Sequence, residues 1–278
     1  MALPWHVWGM NTWPVPTPNL PSDVHPALAA TAIAASAAYD GARREFTRVQ
    51  LREEIADGAD GTPTMRVDAI VEAAIAEAAA KAGANLLSEE AGFLDNGSAA
   101  TLVIDPVDGS ANAAMGVPLS CFAGALVIDD QPVEALTVWF DTGRAWSAHA
   151  GRPTPYRTTG RTALKGASIC MMRPKRGTED AWMRVANQVD RVRILSTTCL
   201  EAVLVAEGAV DAFADPGSDT HRLMDLIAAL VTVPAAGGAL LDLRGRPLTF
   251  DLDLSRRWSG IAAATPALAD DLITTILG

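Results

Sequence analysis

Two short stretches hold residues whose types and spacing can do chemistry. Ser88-Glu89-Glu90-Ala91-Gly92 is followed by Ile104-Asp105-Pro106-Val107-Asp108-Gly109-Ser110-Ala111-Asn112. Asp105 directly ends an apolar run, and the end of a strand is where a rigid support can aim a carboxylate into a cleft. Pro106 stiffens the next step and Gly109 permits a tight backbone turn. The amides of Gly109 and Ser110 could then open a helical turn and face an anion. From Ala82 to Gly143 there is no Lys or Arg, while the same window holds Glu89, Glu90, Asp95, Asp105, Asp108, Asp129, Asp130, Glu134 and Asp141. Two carboxylates ~5 Å apart repel by roughly 3 kcal/mol at an effective dielectric near 20. Several converging acids therefore need protons, distant arginines or a divalent cation. Hard oxygen donors suit Mg²⁺, Mn²⁺ or Ca²⁺ rather than zinc. Acids merely solvated on loops are the alternative, which suits SEEAG alone better than a DPVDGS segment at a strand end.

Other chemistry is not legible. The four histidines are scattered without metal-ligand spacing, and no GxxxxGK[ST] phosphate loop is present. No Ser/His/Asp or Cys/His arrangement stands out. Cys121, Cys170 and Cys199 match no zinc pattern; an odd count suits a reducing compartment, with the three acting as small buried hydrophobes.

The elements that must position these acids come from a chain of 278 residues, 49% hydrophobic and 20% charged, which is a globular composition. The net charge of −11 argues against nucleic acid and anionic membranes as partners. No stretch reads as a membrane span, and the N-terminus lacks a basic region followed by a continuous apolar run, so a cytoplasmic protein is expected. Residues 1–22 form a Pro/Trp-rich arm, expected to lie on its own domain or on a neighbouring subunit, with a floppy tail as the alternative. Ser22 or Asp23 should cap a long helix running to about Ile55. A polar loop over 57–64 precedes a helix from Arg66 to Lys81, with Val67, Ile70, Val71, Ala74, Ile75 and Ala78 as its buried stripe and Gly83 as its stop. Strand-like runs and turns over 85–148 predict an antiparallel meander. After about residue 155, strands and helices alternate. The expectation is an α/β protein, α+β in its first half and α/β in its second. Residues 23–155 would form an α+β domain carrying most metal ligands, and 156–278 an α/β domain carrying substrate contacts and Asp225.

With these motifs in view, the sequence resembles the inositol monophosphatase superfamily of metal-dependent, typically lithium-sensitive phosphatases. GADGTPTMRVDAIVE (58–72), LLSEEAG (86–92), IDPVDGSANAAMGVP (104–118) and HRLMDLIAALVTVPAAGG (221–238) match its motifs in order. Their phrasing is nearest to the archaeal branch, whose enzymes act on inositol phosphates and on fructose 1,6-bisphosphate. The resemblance implies a layered αβαβα sandwich of the inositol monophosphatase / fructose-bisphosphatase type, and a homodimer. It implies two or three Mg²⁺ ions, with Mn²⁺ as an alternative. Glu89, Asp105 and the Val107 carbonyl would hold the first, and Asp105, Asp108 and Asp225 the second. A weaker third would lie near Glu89 and Asp68. Asp68 and Ser110 would activate the attacking water, and the amides of Gly109 and Ser110 would hold the phosphate. Ser196, Thr197, Thr198 and Asp215 fall where the family touches substrate hydroxyls. The chain departs from the pattern at Met224, where Trp is usual, at Ala113, where an aromatic is common, and in a longer 215–225 stretch.

The expected substrate is a small phosphorylated metabolite, a polyol or sugar phosphate, attacked directly by water. Enzymes accelerate hydrolysis of such monoesters by up to ~10²¹-fold, about 28 kcal/mol of barrier, mostly through positioning and charge stabilisation. Bound metals also explain how an acidic protein handles an anion. A second phosphate would need cations, for which Arg173, Lys175 and Arg191 are the candidates. A nucleotide 3′-phosphatase, a histidinol-phosphate phosphatase, a phosphatase of a specialised biosynthetic pathway and a non-catalytic metal-binding scaffold remain open alternatives.

Overall fold

A computed structural model describes residues 13–278. Trp5 and Trp8 of the N-terminal arm lie outside the described residues. From Val15 onward the arm is tied to its own domain: the Val15 amide donates to Asp40 (2.9 Å) and the Asn19 amide to the Gly143 carbonyl (2.8 Å), while Trp13 is exposed.

The first layer is helical. Helix α1 (Pro26–Glu45) is capped by His25, whose Nδ1 accepts the Ala27 amide, with Pro26 at the first position where its missing N–H costs nothing. The expected run to Ile55 is broken. Phe46 turns extended, and a capping box at Thr47 starts the short α2 (Arg48–Leu51). The sequence pattern hid this break because the apolar spacing continues through it. Strands β1 (Glu54–Asp57) and β2 (Pro63–Met65) form a hairpin around the 58–62 loop. Helix α3 (Arg66–Lys81) matches its expected bounds, and Gly83 follows its end at φ 66°. Val67, Val71, Ile75 and Ala79 form its buried stripe, and Asp68 and Glu72 are buried on the same helix.

A six-stranded sheet follows, built from β3 (Asn85–Ser88), β4 (Gly92–Leu94), β5 (Ala100–Asp108), β6 (Cys121–Ile128), β7 (Gln131–Trp139) and β8 (Ala145–His149) in the order β4-β3-β5-β6-β7-β8. The short α4 (Ser110–Met115) leaves the end of β5. A second, five-stranded sheet holds β9 (Ser168–Met171), β10 (Arg191–Arg193), β11 (Ala212–Ala214), β12 (Ala239–Asp242) and β13 (Gly260–Ala263), ordered β10-β9-β11-β13-β12. Its helices are α5 (Glu179–Ala186), α6 (Thr198–Ala206), α7 (Leu223–Ala235) and α8 (Pro266–Leu277).

Three apolar clusters show the layering. Leu28, Tyr39 and Ile75 of α1 and α3 pack on one face of the first sheet through Leu102 and Phe122. Leu87, Val103 and Val127 on the opposite face meet α6 and α7, which also cover Cys170, Phe213 and Ala262 of the second sheet. The far side of that sheet, through Ile169 and Ile261, is closed by α5 and α8. Successive residues of a strand face opposite sides, so each sheet feeds two cores. The result is the expected αβαβα sandwich.

Candidate active site

Strand register gathers the first acids. Strands β3 and β5 run parallel with Ser88 opposite Ile104, so the next residues, Glu89 and Asp105, emerge side by side at the strand ends. Asp105 and Asp108 are three apart, which in a regular strand would put them on opposite faces. The pairing with β6 shifts between Asp105↔Ala123 and Asp108↔Cys121, so three steps on β5 oppose two on β6. Pro106, which cannot donate to a ladder, sits inside this bulge. The extra residue turns both carboxylates the same way, and oxygens of Asp105 and Asp108 lie within 4.8 Å of each other and of the Cys199 sulfur.

The second half of the chain closes the site. Asp108 meets the start of α6: its Oδ2 accepts the Thr197 hydroxyl (2.6 Å) and the Cys199 amide (2.7 Å), and its Oδ1 the Thr198 amide (3.2 Å). The two amides are unpaired N–H groups of a helix N-terminus, which favour an anion. Asp225 sits in the first turn of α7 and accepts the Arg222 amide (2.6 Å). The Arg222 guanidinium then reaches Glu89 (2.5 Å), Asp60 (2.7 Å) and Asp225 (3.5 Å). Asn112 ties the halves together, its Nδ2 donating to the carbonyls of Leu119 (2.9 Å) and Leu195 (2.8 Å). Gly109 turns at φ 83°, and a Cβ there would meet the Leu119 carbonyl at 2.8 Å.

Burial, followed by the charges of Asp108, Glu89 and Asp225, pushes the Asp105 carboxyl well above the usual range. Glu89 is raised by burial against the pull of Arg222. Asp68 and Glu72, four apart on α3, are each pushed up to about 7, chiefly by burial. Ser110 stands against Asp68, and its hydroxyl donates to the Val107 carbonyl (2.9 Å). Asp68 Oδ1 is buried without a hydrogen-bond partner among the described residues. Crowded, buried oxygens that resist ionisation together are a donor set that fits hard divalent cations. Glu89, Asp105, Asp108, Asp225 and the Val107 carbonyl would hold them.

A cavity of about 340 Å³ opens beside this cluster, lined by Asp108, Asp225, Ser196, Thr197, Thr198, Arg173 and Lys175 among others. Two residues expected at the substrate lie elsewhere. Arg191 is exposed on β10 and does not line the cavity. Asp215 is fully buried, its oxygens taken by the Gly217 and Ser218 amides and the Ser218 hydroxyl, so it shapes the 215–220 loop. The cavity also contains Met172, Glu201, Thr220, His221 and Arg222, which sequence reading did not assign. His221 Nδ1 accepts the Gly260 amide (3.1 Å) and its Nε2 meets the Thr198 hydroxyl (3.1 Å). The sequence marks the cysteines only as small buried hydrophobes; all three are free and buried, but Cys121 and Cys199 also flank Asp108.

An αβαβα sandwich with carboxylates gathered at its strand ends defines a class, the metal-dependent phosphoric monoester hydrolases. The family is specific: the model of the inositol monophosphatase family matches residues 23–277, and the chain belongs to that family. A fructose-1,6-bisphosphatase/inositol-1-monophosphatase of Thermococcus kodakarensis is 28% identical over 228 residues, 80% of this chain and 86% of that protein. A relative of the same description from Methanocaldococcus jannaschii is 31% identical over 193 residues, 68% of this chain and 75% of its own. The solved structure of a Pyrococcus horikoshii protein with similarities to inositol-1 monophosphatase superposes with a TM-score of 0.70 at 26% identity, covering 81% of this chain and 88% of that one. No helix among the described residues is long and apolar enough to cross a membrane.

Proposed function

We propose that the protein is a Mg²⁺-dependent phosphatase acting on a small polyol or sugar phosphate, of the inositol monophosphate or fructose 1,6-bisphosphate kind. The observation that carries this reading is the arrival of Asp225, from α7, at the acids of β3 and β5: Arg222 touches both Glu89 and Asp225, and Asp108 and Asp225 share one cavity wall. Bound divalent ions would supply charge neutralisation and a water of lowered pKa. The chain's own groups do the rest. Asp68, next to Ser110, takes the proton of the attacking water; a carboxyl poised near neutrality suits that role. The amides of Gly109 and Ser110 hold the phosphoryl oxygens. Ser196 presents its hydroxyl to the substrate from the cavity wall, while the Thr197 hydroxyl is given to Asp108 and the Thr198 hydroxyl meets His221.

Arg173 and Lys175 on the same cavity favour a substrate with a second anionic group. The Lys175 ammonium, held by the Thr220 hydroxyl (2.8 Å), is the better placed of the two. Phosphate release from a panel of inositol phosphates, sugar bisphosphates, nucleotide 3′-phosphates and histidinol phosphate, in Mg²⁺ with and without EDTA and lithium, tests the proposal. Release only with Mg²⁺ and best with polyol or sugar phosphates is expected. Release unaffected by EDTA, or from none of the panel, overturns it. Lys175→Ala should raise KM for fructose 1,6-bisphosphate and leave that for inositol 1-phosphate unchanged.

A further inference from the structure

An arginine stands inside the acid cluster, and nothing in the proposed reaction uses it. Its Nη1 lies 2.7 Å from Asp60 Oδ2 and 2.5 Å from Glu89 Oε2, and its Nε 3.5 Å from Asp225 Oδ2. Asp60 is an anchor built for it. That side chain has no exposed surface, its Oδ1 is taken by the Thr62 amide (2.8 Å) and hydroxyl (2.7 Å), and its Oδ2 faces Arg222 and, at 3.5 Å, Arg257. The loop holding Asp60 is fastened to the glutamate motif: the Asp60 amide donates to the Glu89 carbonyl (3.2 Å) and the Ala59 amide to that of Glu90 (3.1 Å). The backbone of Arg222 is fixed as well, since its amide donates to Asp225 (2.6 Å). A guanidinium bonded to Asp60, on a residue whose own backbone is anchored to Asp225, cannot be shed as a free ion can.

We infer that Arg222 is a resident cation of the active site, filling the outer position between Glu89, Asp60 and Asp225 so that the site takes two divalent ions rather than three. The guanidinium meets three carboxylates of the cluster, Asp60, Glu89 and Asp225, and so supplies positive charge where a third ion would otherwise be needed. Glu89 turns Oε2 to the arginine and can serve a metal through Oε1. A guanidinium donates in a fixed planar fork and keeps its proton at any working pH, so this cation does not depend on metal supply.

The inference rests on the metal-dependent reading above. Its test counts ions rather than turnover. Mn²⁺ bound per chain is measured by equilibrium dialysis and electron paramagnetic resonance up to millimolar metal, for the wild type, Arg222→Gln and Asp60→Asn, each checked for folding by circular dichroism. Two ions in the wild type and three in Arg222→Gln are expected. Asp60→Asn, which frees the arginine without removing its charge, should admit the third ion at the highest concentrations and serves if Arg222→Gln does not fold. Three ions in the wild type, or two in every folded variant, overturns the role of Arg222 and leaves the phosphatase reading standing. No bound Mn²⁺ in any of them overturns both.

Discussion

The Thr197 hydroxyl donates to Asp108 Oδ2 at 2.6 Å, although the two residues are 89 positions apart. The bond joins the bulged end of β5 to the N-terminus of α6, so the Asp108 carboxylate is oriented by the other half of the chain. Groups that orient a ligand rather than bind the ion typically change metal affinity by ~10–100-fold. Thr197→Val should weaken Mg²⁺ binding within that range, measured by calorimetric titration, while Thr197→Ser restores it. Unchanged affinity in the valine variant would show that the Cys199 and Thr198 amides suffice.

Asp105 sits in a trade between stability and function. Burial and three neighbouring acids disfavour its charge. Without metal, removing that charge relieves repulsion that each folded molecule must bear. Asp105→Asn should therefore melt higher than the wild type in EDTA, by several degrees for a gain of about 1–3 kcal/mol, while phosphate release falls below detection. A lower melting temperature in EDTA would mean that the carboxylate supports the fold itself.

The same crowding makes metal a stabiliser. A ligand at about 100 times its Kd adds about 2.7 kcal/mol to the folded state. Mg²⁺ should raise the melting temperature of the wild type, EDTA should reverse the rise, and Asp105→Asn and Asp225→Asn should each respond weakly. Equal shifts in all three proteins would place the responsive ion elsewhere.

How far the site was legible in sequence follows from what each residue's role depends on. Asp105, Asp108 and Gly109 announce themselves locally, because a proline and a glycine beside acids at the end of an apolar run leave few backbone solutions. The Arg66–Lys81 helix was equally plain, its apolar spacing unbroken and its stop glycine in place. Asp60 and Arg222 were not legible. Each sits in a matched motif, but their pairing is across 162 residues and no local pattern encodes it. Asp215 shows the reverse failure: the position lies near the cavity in sequence, yet its oxygens face the amides of its own loop. The Phe46 break in α1 went unseen for the same reason, since Thr47 and Gln50 form a capping box inside a stretch that still looks helical.

Glu201 offers a pH test at a residue outside the acid cluster. It lines the cavity from α6, is 1% exposed, and its Oε1 accepts the Leu195 amide (3.1 Å). Burial pushes its carboxyl up to about 8, with the Asp108 charge adding to the rise and the Leu195 and Thr197 amides opposing it. In the unfolded chain the same group titrates near ~4.3. The folded state therefore holds the proton more tightly. This stabilisation is fully present below the unfolded value and is lost as pH rises through about 8. Each unit of displacement is worth about 1.4 kcal/mol, so a few kcal/mol should disappear across that window. Glu201→Gln keeps the acceptor oxygen and cannot ionise. Urea unfolding in EDTA from pH 5 to pH 9 should show wild type and variant close at the acid end, with the variant increasingly the more stable toward the alkaline end. The clustered acids titrate in both proteins, so the difference between the two curves reports Glu201 together with its coupling to Asp108. A constant difference across the range would mean that Glu201 is ionised throughout and that its burial is compensated by donors other than the two amides.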